Sequence, residues 1–368
     1  MTLILDRGRR SLFDASASEL DCNAEHNGAY RTARDGAAFL TVYRRSRNLR
    51  FPMTSGMRIV SLLPSTTEIV CALGLEDALV GITHECDYPA SVSAKPRLTA
   101  SRISHETMTS KEIDHAVRSQ LADLDGHGSI YDLDEAKLRE LNPDLILTQE
   151  LCDVCAVSYK TVQQAARMFE ADVRVVSLEP NTIAEIFENI RLVGGLTDRE
   201  DRADQLIASL QARLDRVRER AEQIARRPRT LMLEWLEPPF APGHWVPEQV
   251  EIAGGDHAFG EAGQRSVTTT AEEIRAYAPE VIVLIPCGYY KEDILRQLPF
   301  ARLPEGWNDL PAVENGAVWA TDATSYFSRP GPRVVDGVEI LARILHPEVF
   351  DSPEDSQAVR VPMDLMKS

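Results

Sequence analysis

The chain has 368 residues, of which 43% are hydrophobic and 26% charged, and this composition is typical of a globular protein with room for two domains. Its 57 acidic and 40 basic residues give a formal charge of -17. This charge would repel phosphate backbones, so nucleic acid is disfavoured as a partner. It suits a docking partner with basic patches. No uninterrupted apolar run approaches the roughly 18 residues that a membrane-spanning helix needs.

Residues 1–56 form an N-terminal extension that is rich in arginine and contains no lysine. It shows no apolar stretch of about 7–15 residues followed by a small-residue cleavage site, so no secretory signal is predicted and the sequence as written favours the cytoplasm. Only the stretch LTVYRRSRNLRF resembles a strand or a short helix. Met57 directly precedes the first core strand, so we interpret the extension as disordered or as a translated upstream region.

Residues 57–180 alternate apolar strands with helices, which predicts an N-terminal α/β lobe. The strands are predicted at Ile59–Leu63, Ala78–Thr83, Leu145–Thr148 and Val173–Ser177. The helices are predicted after the first strand and at about 110–122, 132–141 and 157–169. Strands that are apolar almost throughout belong in a parallel sheet covered on both faces. Side chains that follow such strands gather at the carboxyl edge of the sheet, where open α/β folds bind ligands.

Residues 181–227 are predicted to form connecting helices, broken near Gly194-Gly195. In their second part the apolar residues recur at spacings of three and four, which is typical of one helix face. These residues are Leu206, Leu210, Leu214, Val217, Ala221 and Ile224. A helix from Arg199 to Arg226 would be about 40 Å long, enough to lie along two lobes. A coiled-coil dimer is the alternative, but the flanking βα regions favour an intramolecular strut in a monomer.

Residues 228–348 repeat the plan of the first lobe, and residues 349–368 are predicted to be a disordered tail. The strands are predicted at Thr230–Leu233, Val281–Ile285 and Ala317–Ala320, with helices at about 247–253, 271–278 and 333–345. In both halves a helix ends at a proline followed by an acid and then a buried strand. The predicted fold class is therefore α/β, with two Rossmann-like βα lobes joined by one long α-helix and a ligand cleft between them.

The candidate site consists of side chains expected just after strands, where aromatic faces occur beside thiols and imidazole. A large flat ligand needs aromatic and apolar walls with a few polar groups that orient it. The candidate ligand-binding residues are Tyr88, His84, Cys86, Cys152, Cys155, Trp235, Trp245, Cys287, Tyr289, Tyr326 and Phe327. For each aromatic residue the alternative is that it only closes the core of its lobe.

The pair Cys152 and Cys155 forms a CxxC sequence between a predicted strand and a predicted helix, where a helix dipole lowers the pKa of a thiol. Metal ligation, redox chemistry and local packing all stay open for this pair. A metal site would need further donors, and the candidates are Cys86, Cys152, Cys155, Cys287 and His84. The second hypothesis is therefore a metal-ion-binding or thiol redox protein. No phosphate loop, dinucleotide fingerprint, serine nucleophile elbow or HExxH motif is present, so neither an enzyme nor an intrinsic cofactor is predicted.

Several motifs in a fixed order resemble a known family over roughly residues 57–346. They are RIVSLLPSTTEIVCALG, DYP, LRELNPDLILTQ, EQVEIAGG and YFSRPGPRVVDGVEIL. Together with the long helix they are similar to the helical-backbone (class III) substrate-binding proteins of ABC importers, within the iron-chelate and cobalamin family and closest to its cobalamin-binding branch. The resemblance implies a periplasmic, non-enzymatic protein that holds cobalamin, a related corrinoid or another metal chelate between two lobes.

The resemblance also assigns roles to individual residues. Tyr88 matches a position that places an aromatic ring against the corrin, and Tyr326-Phe327 matches a second aromatic contact. Glu251 matches an acid that docks onto arginines of the permease, and Glu135 is the corresponding candidate on the first lobe. The implied partner is an ABC permease with basic docking patches.

Overall fold

A computed structural model of the chain describes residues 29–35, 38–43, 56–101, 108, 111–113, 115–116, 119, 131–149 and 173–366, the first two ranges through their backbone only. The described chain forms two α/β lobes, each built around a β-sheet with a parallel core, as predicted. Within these ranges, no helix is both long enough and apolar enough to cross a membrane.

The first lobe contains a six-stranded sheet and a separate antiparallel pair of short strands. Its strands are β1 (Ala29–Asp35), β2 (Ala38–Tyr43), β3 (Ile59–Ser61), β4 (Leu79–Ile82), β5 (Thr99–Ser101), β6 (Tyr131–Leu133), β7 (Leu145–Thr148) and β8 (Val173–Leu178). The spatial order of the large sheet is β1-β2-β8-β7-β3-β4, in which β8, β7, β3 and β4 run parallel. β3 and β7 are buried along their whole length, as expected of strands covered on both faces.

The β1–β2 hairpin lies in the segment that was expected to be a disordered extension. β2 runs antiparallel to β8 and pairs with it from Ala38 opposite Leu178 to Tyr43 opposite Val173. The expectation of disorder was therefore wrong for the residues of this hairpin. Its strands are recognisable only once β8 is known to be available as a partner, because their own sequence carries little periodicity.

α-Helices pack beside the first sheet, and two further helices connect the lobes. They are α1 (Pro64–Ala72), α2 (Glu135–Leu141), α3 (Ile183–Leu196) and α4 (Glu200–Ala221). The 22 residues of α4 span about 33 Å. Of its predicted apolar stripe, the four residues from Leu210 to Ala221 are buried, which confirms the helical face.

The break between the connecting helices comes directly after the glycine pair, near the predicted place, because the first of them ends at Leu196. α3 continues through Gly194 and Gly195, and the chain turns at Asp198, which has a positive φ of 53°. A Cβ atom built on Gly194 would lie 2.6 Å from the Cβ of Ala203 in α4. Gly194 therefore allows the two helices to approach closely, which is why it lies inside α3 and not at its end.

The second lobe contains a four-stranded sheet and a small three-stranded antiparallel sheet. Its strands are β9 (Thr230–Leu233), β10 (Trp235–Leu236), β11 (Pro239–Ala241), β12 (Val267–Thr268), β13 (Val281–Leu284), β14 (Val318–Thr321) and β15 (Ala358–Arg360). Its helices are α5 (Val246–Ile252), α6 (Ala271–Tyr277), α7 (Lys291–Gln297), α8 (Pro311–Glu314), α9 (Ala323–Tyr326), α10 (Val334–Leu345) and α11 (Pro347–Phe350). The order β9-β13-β14 is parallel, as the repeated plan predicted.

Residues 349–366 are ordered, contrary to the expectation of a disordered tail. β15 pairs antiparallel with β14, with Ala358 opposite Thr321, and so completes the second sheet. The polar composition of residues 351–357 suggested disorder, but three residues of strand are enough to cover the free side of β14.

A shared hydrophobic core joins the two lobes along the connecting helices. It contains Ile186 and Val193 of α3, Leu214 of α4, Val250 of α5 and Leu341 of α10. Because the same core includes strand residues of both sheets, the connecting helices pack against both lobes and do not stand free. The gap between the lobes lies where the loops that follow the strands meet.

Candidate functional site

Loops that follow strands of the two sheets contact each other across the lobes. Asp87 follows β4 in the first lobe, Tyr290 follows β13, and Arg329 follows β14 in the second lobe. Tyr290 Oη donates a hydrogen bond to Asp87 Oδ2, and Arg329 Nη1 donates one to Asp87 Oδ1 over 2.5 Å. Arg329 Nη2 also donates to the carbonyl oxygen of Glu85 over 2.9 Å. The carboxyl edges of both sheets therefore face the same gap, as predicted.

A buried carboxylate on α1 binds two arginines of the other lobe. Glu68 is 3% exposed, although it lies on an otherwise mainly apolar helix that begins at Pro64. Arg333 Nε and Nη2 donate to its two oxygens over 3.0 and 2.6 Å, and Arg329 Nη1 approaches to 3.4 Å. A paired arrangement of this kind is the strongest form of arginine–carboxylate hydrogen bonding.

The electrostatics of this cluster follow from burial and opposite charge. Burial raises the pKa of Glu68, and the two guanidinium groups partly counteract that rise. Burial also pushes the pKa of Asp87 upward, but the neighbouring Arg329 outweighs it and leaves the pKa below its ordinary value. Burial lowers the pKa of Arg329, but the negative charges of Asp87 and Glu68 outweigh this effect and raise the pKa overall. Both arginines are therefore held as cations between carboxyl groups of the first lobe.

Two of the predicted aromatic contacts, one from each lobe, lie beside Arg333. The guanidinium carbon of Arg333 is 4.2 Å from the centre of the Tyr88 ring and 5.9 Å from the centre of the Tyr326 ring. Tyr88 is 49% exposed, while Tyr326 is partly buried. A cation over an aromatic ring at the shorter distance is an attractive contact. The structure thus brings Tyr88 and Tyr326 together across the gap.

Trp235 and Tyr289 form a second aromatic group in the second lobe. Their rings meet edge to face, with 5.7 Å between the ring centres. Tyr289 is completely buried, and burial raises the pKa of its phenol to about 12. Trp235 is only partly buried, and its Nε1 has no hydrogen-bond partner within the described part of the chain. Tyr289 therefore packs against Trp235 inside the second lobe, and Trp235 is the less buried of the two rings.

Trp245 and Phe327 lie in the shared core and not on the surface of the cleft. Both are buried, and Trp245 Nε1 donates to the carbonyl oxygen of Phe327 over 2.8 Å. This contact ties the start of α5 to the loop before α10. Here the alternative of core packing describes the two rings better than the predicted ligand contact does.

The described thiols of the candidate site, Cys86 and Cys287, differ in burial. Cys86 is 1% exposed, its sulfur lies 3.0 Å from Thr67 Oγ1, and burial raises the pKa of the thiol to about 11. Cys287 is partly exposed and free. Cys152 and Cys155 lie outside the described residues.

His84 lies in the same loop as Cys86 but is held by a different contact. Its Nδ1 is 2.6 Å from Thr99 Oγ1, and burial together with Arg97 lowers the pKa of the ring. In the described ranges, no three side chains of His, Cys, Asp or Glu are grouped so that they could hold a metal ion. The described part of the candidate metal site, His84, Cys86 and Cys287, therefore provides no preformed metal centre.

The two candidate docking acids lie on helices of different lobes. Glu251 is exposed on α5, and Glu135 is the first residue of α2, where it pairs with Arg139 over 3.3 Å. Both carboxylates reach the surface of the molecule, as contact with basic patches of a partner requires.

Glu68, Arg329 and Arg333 were not among the residues predicted for the site. A single acid among the apolar residues of α1 was the available signal, because a buried charge needs a partner. The two arginines of the RPGPR sequence provided the matching signal. Their pairing joins residues more than 260 positions apart, and nothing local in the sequence specifies it.

Comparison with known proteins agrees with this architecture. A family model described as periplasmic binding protein matches residues 59–324. An uncharacterised ABC transporter substrate-binding lipoprotein of Bacillus subtilis is 26% identical over 301 residues, which are 80% of this chain and 81% of the relative. A vitamin B12-binding protein of Vibrio cholerae is 23% identical over 286 residues, covering 77% of this chain and 86% of the relative.

Solved structures share the fold at lower sequence identity. A periplasmic heme binding protein from Pseudomonas aeruginosa superposes with a TM-score of 0.61 at 18% identity, covering 83% of this chain and 96% of its own. The periplasmic vitamin B12 binding protein of Vibrio cholerae superposes with a TM-score of 0.55 at 22% identity, covering 78% and 96%. These similarities concern the arrangement of the two lobes.

Proposed function

The chain belongs to the periplasmic binding protein family, and we propose that it is a non-enzymatic solute-binding protein that captures a corrinoid or another large metal chelate between its lobes for an ABC importer. The convergence of Tyr88 and Tyr326 from opposite lobes at Arg333 carries this proposal. A ligand that enters the gap there would meet aromatic surface from both sides, as a flat macrocycle requires.

The chemistry of the gap favours a ligand with a large planar face and a polar rim. Tyr88 provides exposed aromatic surface, Trp235 is a proposed further wall, and Arg333 and Asp87 provide charged groups beside Tyr88. The names of the relatives point to the same class, since they describe binders of vitamin B12 and of heme. We propose a corrinoid as the ligand, with heme and iron chelates as the related alternatives.

A titration of the purified protein with cyanocobalamin, cobinamide and hemin tests this proposal, because each probe has a strong visible absorbance. We expect a saturable spectral shift with one of these probes, and a chromophore that stays with the protein during gel filtration. Binding of hemin alone would replace the corrinoid by heme. If none of the three probes binds, the assignment to large metal chelates fails.

The proposed partner is an ABC permease, and the proposed place of action is outside the cytoplasmic membrane. Support comes from the relative in Bacillus subtilis, which is described as a substrate-binding lipoprotein. Within the chain, the exposed acids Glu135 and Glu251 support it, because they present negative charge on helices of two different lobes. Electrostatic complementarity of this kind sets the rate and orientation of docking.

A further inference from the structure

Glu68 is placed so that it acts on the cleft only through other residues. Its carboxylate is buried under the first turns of α1, and the described partners of its oxygens are arginines of the second lobe. Such a group cannot contact a ligand unless the two lobes separate. Its influence on a ligand must pass through Arg329 or Arg333.

Arg333 connects this buried carboxylate with the exposed aromatic ring. Two of its nitrogens, Nε and Nη2, are held by Glu68, which fixes the plane of the guanidinium group. The same group lies over the ring of Tyr88 at 4.2 Å. Because the guanidinium group is rigid and planar, fixing one edge also fixes the surface that it offers to the ring.

We propose that Glu68 and Arg333 are positioning residues that orient Tyr88 as a wall of the ligand cleft. Glu68 holds Arg333, and Arg333 holds the ring of Tyr88 at the boundary between the lobes. This inference rests on the proposed function, since it treats Tyr88 as a ligand contact. The inference adds that a residue of the second lobe orients the Tyr88 ring of the first lobe. The ring is therefore oriented only while the two lobes are in contact.

Asp87 and Arg329 provide a parallel link that does not include Tyr88. Arg329 binds Asp87 and the carbonyl group of Glu85, so it holds the loop after β4 by its backbone and by a neighbouring side chain. Loss of Glu68 would leave this second link in place. A variant at position 68 is therefore expected to free the Tyr88 ring without detaching the loop that carries it.

A first experiment detects the orientation of Tyr88 in the absence of ligand. The protein is labelled with 3-fluorotyrosine, and among its nine tyrosines the Tyr88 signal in the fluorine NMR spectrum is assigned with Tyr88→Phe. We expect Glu68→Gln and Arg333→Lys to move or broaden this signal, because each breaks the paired hydrogen bonds. The control is Glu188→Gln, which removes an exposed acid paired with Arg191 on α3.

Arg333→Lys keeps the positive charge but loses the planar guanidinium group. It therefore tests the positioning of Tyr88 even if Glu68→Gln does not fold. An unchanged Tyr88 signal in the folded variants would overturn the proposal. A shift of similar size in Glu188→Gln would do so too, since it would show a general response to lost charge.

A second experiment measures coupling in ligand binding, with cyanocobalamin or hemin as the probe. We expect Glu68→Gln to weaken binding by about threefold to tenfold in the wild-type background, the range of one aromatic contact. In the Tyr88→Ala background the same change is expected to have almost no effect. Equal effects in both backgrounds would show that Glu68 does not act through Tyr88. If cyanocobalamin, cobinamide and hemin all fail to bind, the proposed function fails, whereas the fluorine experiment still decides the positioning role.

Discussion

Burial separates the aromatic residues that follow strands into those that can meet a ligand and those that cannot. Tyr88 keeps half of its side chain exposed, whereas Tyr289 and Phe327 are buried. All three have the residue type expected of a cleft wall. The depth at which each ring lies depends on the packing of neighbouring helices, and residue type alone does not report it.

Replacement of Tyr88 by alanine is expected to weaken binding of the absorbing probe about tenfold, because one aromatic face of the cleft is lost. Phe300→Ala is the matched control, since Phe300 is an aromatic residue that is 74% exposed in the second lobe, in the short helical turn after α7. Isothermal titration calorimetry gives both affinities. An equal loss in the two variants would show that Tyr88 has no special contact with the probe.

The thiol of Cys86 is expected to be unreactive. Its pKa of about 11 leaves roughly one thiol in a thousand ionised at about pH 8, and only the thiolate reacts. Cys287 is partly exposed and is expected to be alkylated first of the two. Peptide mapping after brief treatment of the native protein with iodoacetamide distinguishes them. Rapid labelling of Cys86 would contradict the buried placement.

At the scale of the elements, the contact between α3 and α4 requires that position 194 carry no side chain. A methyl group on Gly194 would meet the Cβ of Ala203 at 2.6 Å, whereas a methyl group on Gly195 has no neighbour within 4 Å. Two adjacent glycines of one helix thus have opposite requirements. One makes room for the neighbouring helix, and the other only lowers helix propensity.

Gly194→Ala is expected to reduce the free energy of unfolding by about 1–3 kcal/mol, the usual cost of overpacking. Gly195→Ala is expected to increase it by up to about 1 kcal/mol, since alanine is the better helix former. Urea denaturation followed by circular dichroism measures both. If both variants are stabilised, the close approach of the two helices is not as described.

The strands and helices with strong apolar patterns were predictable from the sequence to within a few residues. Leu145–Thr148 and Thr230–Leu233 have the predicted bounds, because a run of buried residues between a proline or arginine stop and a polar loop leaves little choice. The strand-like stretch that begins at Leu40 overlaps β2, but β1, the small sheet β10-β11-β12 and β15 were not predicted. These strands are short or half polar, and distant partners decide their pairing.

The sequence predicted where the candidate site lies better than it predicted which residues form it. The rule that ligands bind at the carboxyl ends of strands selected Tyr88, and this ring contacts Arg333 of the other lobe. Its role and that of Trp235 as ligand contacts stay predictions. The rule could not identify Glu68, which lies on a helix, nor the two arginines that bind it. Those contacts arise only when the two lobes come together, and sequence patterns describe each lobe separately.

At the scale of the whole molecule, ion pairs between the lobes make the structure sensitive to acid. Around Arg329 and Asp87 lie the titratable groups of Glu68, Glu85 and Tyr290. The folded pKa of Asp87 lies below its ordinary value of 3.8, because Arg329 outweighs the effect of burial. Its stabilisation is therefore complete above about pH 4 and is lost as the pH falls through the folded value.

Asp87→Asn is expected to lower the free energy of unfolding by up to about 1 kcal/mol at about pH 7, a small value because the Asp87 side chain is 39% exposed and screened. The difference between the variant and the wild type is expected to vanish at about pH 2. Comparing the two proteins cancels the titration of the other acids. A difference that persists at the lower pH would mean that Asp87 acts through packing and not through charge.

Charge on the outer surface is expected to matter for the transporter and not for the ligand. Glu251→Lys is expected to reduce stimulation of the reconstituted ABC permease ATPase by about tenfold, while the affinity for the probe stays unchanged. Glu272→Lys, at an exposed acid of α6, is the control for charge reversal in the same lobe. Equal losses in both variants would indicate that net charge, and not a docking contact, controls the ATPase.

The antiparallel pairing of β2 with β8 has a consequence for shortened versions of the protein. A polypeptide that began at Met57 would leave the backbone N–H and C=O groups of β8 unpaired on one side, along six residues rich in valine. An uncovered border of that kind invites a strand from a second molecule. Such a truncated protein would fold around the same inner strands, yet it would tend to dimerise or precipitate as its concentration rose.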